Sequence, residues 1–226
     1  MAAELPDWVV AIAGLVTQLG DMWFVVAGVI AVFVFGLRRE GISEHPRRDA
    51  LYLLALVMGS FAVTYALKDV FGLPRPPAAG TATIPVWLPV VLGGVYESLV
   101  TGDGFGFPSG HALKTTVVYG GAALTLTVWE RRDRLLAAGA VTVLVAGSRV
   151  VLGVHYLVDV VAGIGIGVVF LVAVDRATDG NPRPALLVAI GVGFVAIVLT
   201  ASVNAVLATA VAVGGLVLWE TRWASS

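Results

Sequence analysis

The 226-residue chain contains no cysteine, so neither disulfides nor thiolate metal sites can form, and nothing in it marks a redox compartment. Charge is scarce as well: 13% of residues are charged, against about 25% in a soluble domain. Two of the fourteen cations are lysines. The net charge of −1 singles out no partner, and no nucleic-acid partner is expected. The first residues, MAAELPDWVV, carry acids where a secretory signal would carry a basic region, so no cleavable signal peptide is expected. Alternation of apolar and polar residues with a two-residue period is missing too, which argues against a membrane barrel.

What the chain has in abundance is apolar sequence, with a mean hydropathy of +0.95. Continuous runs occupy 22–37, 50–67, 112–129, 135–152, 157–174, 185–201 and 203–219. Each approaches the roughly 20 residues that cross a bilayer as helix. The expected fold is therefore all-α: a polytopic membrane helical bundle of about six transmembrane helices, built as a single domain over 1–226. Residues 5–20 are shorter and more polar, and read as an N-terminal interfacial helix. Small residues such as GIGIG at 163–167 suit close packing between helices.

Cytoplasmic loops collect Lys and Arg, so the cations orient the array. Arg38, Arg39, Arg47, Arg48, Arg131, Arg132, Arg134, Arg176, Arg183 and Arg222 all fall on one side if spans alternate. Lys68, Arg75, Lys114 and Arg149 fall on the other, with His111, His155 and Asp159. Lys114 by itself reads as a side chain snorkelling from a helix end. The remaining three stand in patterned segments. In KDVFGLPRP (68–76), Gly72 and Pro74 end a helix and Pro76 holds Arg75 extended. In GFPSGHALKT (106–115), Ser109 is a natural N-cap, and Gly110 lets the backbone approach a ligand. The free N–H groups of that helix start form an anion site beside His111.

In SRVVLGVHYLVD (148–159), Arg149 ends one helix, the chain turns near Gly153 and the next helix begins near His155. Asp159, four residues on, shares a helical face with His155 and can fix its tautomer, which makes the imidazole a nucleophile or base. Two histidines, three positioned cations, a serine hydroxyl and a helix N-terminus suit a tetrahedral, multiply charged anion. Phosphoryl transfer is catalysed mainly by positioning and neutralising such a group.

These three segments resemble the signature motifs of the type 2 phosphatidic acid phosphatase superfamily, K-x6-RP, PSGH and SR-x5-H-x3-D. Every fixed position matches, in order, within a motif-bearing core of 50–175. The resemblance implies a six-span phosphatase in which His155 attacks phosphorus to give a phosphohistidine, oriented by Asp159. It implies that His111 protonates the leaving group and then assists water. Lys68, Arg75, Arg149, Ser109 and the Gly110 amide would hold the phosphoryl oxygens, while Pro108 and Ser148 shape the loops. No metal or other cofactor is implied, and Glu97 and Asp103, the acids within the long outer loop, are too few for a two-metal cluster.

A site at headgroup level points to a membrane-lipid substrate: phosphatidate, phosphatidylglycerol phosphate or an isoprenyl diphosphate, hydrolysed on the extracytoplasmic face of the cell membrane. The apolar loop 72–108, with Trp87 and Tyr96, either lies along the bilayer surface or packs over the helix ends. Three rivals share this inventory: a phosphotransferase passing the same phosphohistidine to an alcohol, a vanadate-holding haloperoxidase, and a non-enzymatic anion-binding protein.

Overall fold

Helix breakers and runs of apolar sequence together set the element order. The computed structural model describes residues 5–223. Its helices are α1 (Asp7–Thr17), α2 (Met22–Arg38), α3 (Pro46–Phe71), α4 (Gly93–Val100), α5 (Gly110–Thr125), α6 (Arg131–Val151), α7 (Leu157–Thr178), α8 (Pro182–Thr200) and α9 (Val203–Leu218). No strand occurs among the described residues. Five helical stretches, α3, α6, α7, α8 and Val203–Trp223, are long and apolar enough to cross a membrane.

A sixth span arises if α1 and α2 count as one, bent by 51° at Asp21. The segment expected to lie at the interface is thus α1, continuous with the first span through this elbow. At 16 residues, α5 stops short of the run from 112 to 129. Its length of about 24 Å is less than a hydrocarbon core. It tolerates this because it is enclosed by α3, α6 and α7 rather than by lipid.

The centre of the bundle is α3. Two thirds of its apolar window is buried, against a third or less for each of the other four. Leu51, Tyr52, Leu53, Leu56 and Val57 are almost wholly enclosed, packing in one core with Leu113 and Val117 of α5, Leu186 and Ala189 of α8, and Ala205, Ala208 and Ala212 of α9. Burying each such side chain contributes about 1.5–3 kcal/mol relative to exposure in water. Within lipid that contribution is replaced by close packing between helices. Glycine permits it: a methyl at Gly163 would stand 2.6 Å from the Ser109 carbonyl oxygen, and one at Gly167 3.0 Å from that of Leu113. Gly165 faces open space.

The ten arginines assigned to one side belong to segments that meet at one end of the bundle. Thr127 donates to the Ile42 carbonyl at 3.0 Å, Arg48 to that of Gly180 at 3.3 Å, and Arg183 to Glu220 at 2.6 Å. At the opposite end, α4 packs Tyr96 and Val100 against Ala13 of α1. The loop tip before it is unpacked, with Val86, Val90 and Val91 each more than 85% exposed. Packing over the helix ends therefore falls to 93–100 with Pro85 and Leu88, while Val86, Trp87, Val90 and Val91 stay outside.

Candidate active site

The end of α3 aims two cations. Gly72 caps the helix with φ +58° and donates to the Lys68 carbonyl at 2.9 Å. Left-handed backbone of this kind costs a residue with a Cβ about 1–2 kcal/mol. Past it the chain runs without regular structure through Arg75. The Lys68 ammonium donates to the Phe105 carbonyl. The Arg75 guanidinium donates to three more carbonyls: Asp103 at 2.8 Å, Gly104 at 3.2 Å and Val154 at 2.9 Å. None of these acceptors carries a charge, so both cations remain uncompensated by them.

The start of α5 supplies the second segment. Ser109 is the N-cap, its Oγ accepting from Ala112 N at 3.5 Å, while its own N–H donates to the Asp159 carbonyl at 2.9 Å. That bond ties the second motif to the third. Gly110 serves helix packing in addition to any ligand: a methyl there would lie 2.8 Å from Thr64 Cγ2 of α3. His111 Nε2 lies 3.1 Å from Oδ1 of Asp21, at the elbow between α1 and α2. Tyr119 OH, donating to the Leu19 carbonyl at 2.9 Å, fastens that elbow to α5.

Asp21 belongs to none of the three motifs and was not among the expected site residues. Its signal in the sequence is slight: an acid between two apolar runs, on the side where His111 lies.

The third segment joins α6 to α7. Arg149, in the last turn of α6, is buried and donates from Nη1 to Thr17 Oγ1 at 3.0 Å. Its Nε is the one buried side-chain nitrogen or oxygen without a hydrogen-bond partner among the described residues. An enclosed N–H of this kind is costly unless something accepts from it.

After Gly153, at φ +69°, comes His155. The next helix begins near it, as expected, but His155 itself stands two residues before the first helical residue. Helix α7 opens at Leu157, and Asp159 is its third residue. Asp159 therefore reaches back as a capping side chain, accepting from Tyr156 N at 2.9 Å and from His155 Nδ1 at 3.2 Å. The pair meets through helix capping, not through a shared helical face. With Nδ1–H donated to the carboxylate, Nε2 keeps its lone pair and accepts from Arg75 Nη1 at 3.0 Å.

These side chains line one cavity of about 660 Å³. Lys68, Arg75, Arg149, His111, His155 and Gly110 all border it, and so does Lys114. Lys114 does not snorkel to the surface: it is 7% exposed, because the elbow and α3 close over the face of α5 that carries it. Ser109 lies behind the wall, fully buried, and Asp159 is reached only through His155.

Burial, then the charges of Arg75, Arg149 and Lys68, push the His155 imidazole from its ordinary 6.5 down to about 2. The ring is therefore neutral at working pH. Burial likewise lowers the Arg75 guanidinium, against the opposing pull of Asp103 and Asp159. Among the described residues no group of three or more His, Cys, Asp or Glu side chains is gathered in a way that could hold a metal ion.

The fold and this site define a class: a multi-span helical membrane protein with a histidine-lined, cationic pocket at one end of its bundle. Within it, the chain belongs to the PAP2 superfamily, whose model matches residues 49–183, more than half of its length. Phosphatidylglycerophosphatase B of Bacillus subtilis (strain 168) is 36% identical over 78 residues, which is 32% of this chain and 38% of that protein. The structure resembles the crystal structure of a transmembrane PAP2-type phosphatidylglycerolphosphate phosphatase from Bacillus subtilis with a TM-score of 0.59. That similarity covers 79% of this chain and 80% of the other at 21% identity, a likeness of fold.

Proposed function

We propose that this protein is a metal-independent membrane phosphatase that hydrolyses a lipid phosphate or diphosphate through a phosphohistidine on His155, with its pocket on the extracytoplasmic face. The observation that carries the reading is the state of the His155 ring. Nδ1 is held by Asp159, and Nε2 keeps its lone pair at the cavity wall, where it accepts from Arg75 Nη1 until a phosphoryl oxygen takes that N–H. An attacking imidazole needs that tautomer and that place on the pocket lining.

The reaction follows from the residues. The phosphoryl group enters among Lys68, Arg75 and Arg149, whose N–H groups take its oxygens, including the unpartnered Nε of Arg149. The α5 N-terminus adds backbone donors at Gly110, held by the Ser109 cap. The Nε2 lone pair of His155 forms the N–P bond as the P–O bond to the leaving group breaks. That oxygen takes a proton from His111. Asp159 stabilises the positive charge that His155 acquires. His111, now a base, removes a proton from water as its oxygen attacks phosphorus. The N–P bond breaks, releasing inorganic phosphate and restoring His155. Asp21 orients His111 and holds its proton against the surrounding cations; it is a positioning residue.

The exposed apolar side chains of Val86, Trp87, Val90 and Val91 suit contact with the lipid surface, and the resemblance to phosphatidylglycerophosphatase B is consistent with a lipid headgroup substrate. The test is phosphate release by purified protein in detergent from phosphatidate, phosphatidylglycerol phosphate, an isoprenyl diphosphate and a water-soluble ester. Turnover of at least one lipid is expected, with or without excess EDTA, and none by His155→Ala. Undiminished release by that variant refutes the nucleophile. Activity abolished by EDTA and restored by magnesium refutes the metal-free chemistry.

A further inference from the structure

Lys114 is the one cation bordering the cavity that no part of the three motifs contains. It sits three residues beyond His111 on α5, about 4.5 Å further along the helix axis from the pocket mouth. Only 7% of it is exposed, it makes no hydrogen bond, and its ammonium lies 5.9 Å from the centre of the Phe61 ring. Phe61 precedes Lys68 by seven residues on α3, which places it about 10 Å deeper. The cavity therefore has two levels. Arg75, Lys68 and Arg149 surround His155 at the upper one, and Lys114 stands below with Phe61, Met22 and Asn204.

The charges that act on each group give the same layout. His155 is influenced by Arg75, Arg149, Lys68 and His111, whereas Lys114 is influenced by Asp21 and Arg149. Along α5, Lys114 stands nearly one turn further from the helix start than His111. Its nearest carboxylate, Asp21, is already bonded to His111 at 3.1 Å. With no protein acceptor of its own, the Lys114 ammonium borders the cavity, where an anion would give it a charge-assisted hydrogen bond.

We propose that Lys114 forms a second anion subsite on the leaving-group side of the pocket, selecting substrates that carry a further phosphate beyond the bond that is broken. This rests on the phosphatase reading above. In that reaction the scissile oxygen lies between His155 and His111, so whatever that oxygen carries extends past His111 toward Lys114. A lipid monophosphate such as phosphatidate offers an uncharged glycerol ester there. Two kinds of lipid offer an anion: a diphosphate presents its inner phosphate, and phosphatidylglycerol phosphate presents its phosphodiester. Met22 and Phe61 then line the way on for the apolar remainder.

The test compares kcat/KM for an isoprenyl diphosphate, phosphatidylglycerol phosphate and phosphatidate, using purified protein in detergent. The wild type should favour one of the two-phosphate lipids over phosphatidate at least tenfold, and which of them it favours identifies the source. In Lys114→Met that preference ratio should fall by about 10- to 100-fold, the range expected for one charge-assisted hydrogen bond. An unchanged ratio overturns the subsite and leaves the phosphatase reading standing. Release from none of the lipids by the wild type overturns that reading itself.

A measurement on the wild type alone covers the case of a variant that does not fold. Methylenediphosphonate should inhibit at least tenfold more tightly than inorganic phosphate, and equal inhibition overturns the subsite.

Discussion

Replacing Gly163 by alanine tests how closely the second and third motifs must approach. The added methyl would stand 2.6 Å from the Ser109 carbonyl oxygen, 3.1 Å from Ala112 Cβ and 3.3 Å from Leu113 N. Two of these three neighbours are backbone atoms, which cannot rotate away. Ordinary contact begins at 3.4 Å, so α7 must move from α5 by about 0.8 Å, the difference between 3.4 and 2.6 Å. The Ser109-to-Asp159 bond spans that gap at 2.9 Å and would be stretched or broken.

For stability the effects oppose. Overpacking costs about 1–3 kcal/mol, and replacing a helical glycine by alanine returns about 1 kcal/mol. The net loss is about 0–2 kcal/mol, and the protein should fold. Catalysis has no such offset. His155 and Asp159 move with α7 while His111 moves with α5, and a misplacement near 1 Å costs about 100-fold. The assay is phosphate release in detergent beside thermal unfolding, with Gly165→Ala as the control because a methyl there meets nothing within 4 Å. A Gly163→Ala protein that keeps kcat/KM within twofold of wild type refutes the argument.

Asp21→Asn should depress release most for substrates with poor leaving groups and shift the alkaline limb of the pH–rate profile to lower pH, because an amide holds the His111 proton less firmly than a carboxylate. A uniform loss with an unmoved profile would make Asp21 merely structural, and Asp21→Glu should recover part of the lost rate. His155 also makes stability depend on pH. Its folded pKa lies below its unfolded one, about 2 against 6.5, so only the unfolded chain takes up this proton between them. Stability from this group is complete above pH 6.5 and falls on acidification toward pH 2 by up to about 1.4 kcal/mol per pH unit. Unfolding followed from pH 7 to pH 5 should show a slope that His155→Gln reduces; an equal slope in both proteins contradicts it.

Much of the fold is legible in the sequence because lipid imposes a coarse rule, that a span needs a long apolar run. The rule fails at α5, where Lys114, Thr115 and Thr116 are buried inside the bundle and protein neighbours replace lipid. It also says little about the α1–α2 elbow, whose bend depends on contacts with α5 and α6 far along the chain. The three motif segments are legible because each couples a helix terminus to charged residues. Their spacing points to the His155–Asp159 contact, but its cause is the capping role of a third helical residue. Asp21 and Lys114 escape, since a lone acid and a lone lysine acquire meaning only once the elbow is folded against His111.

The tether on Lys68 and Arg75 stores its information in the path of the chain. Three successive peptide oxygens, at 103, 104 and 105, hold both side chains. These holds are made by backbone rather than side chains, with Gly104 turning the chain at φ +63°. Such a wall can be inherited intact while its letters change, so a comparison by letters alone passes over it and a comparison of backbone traces finds it.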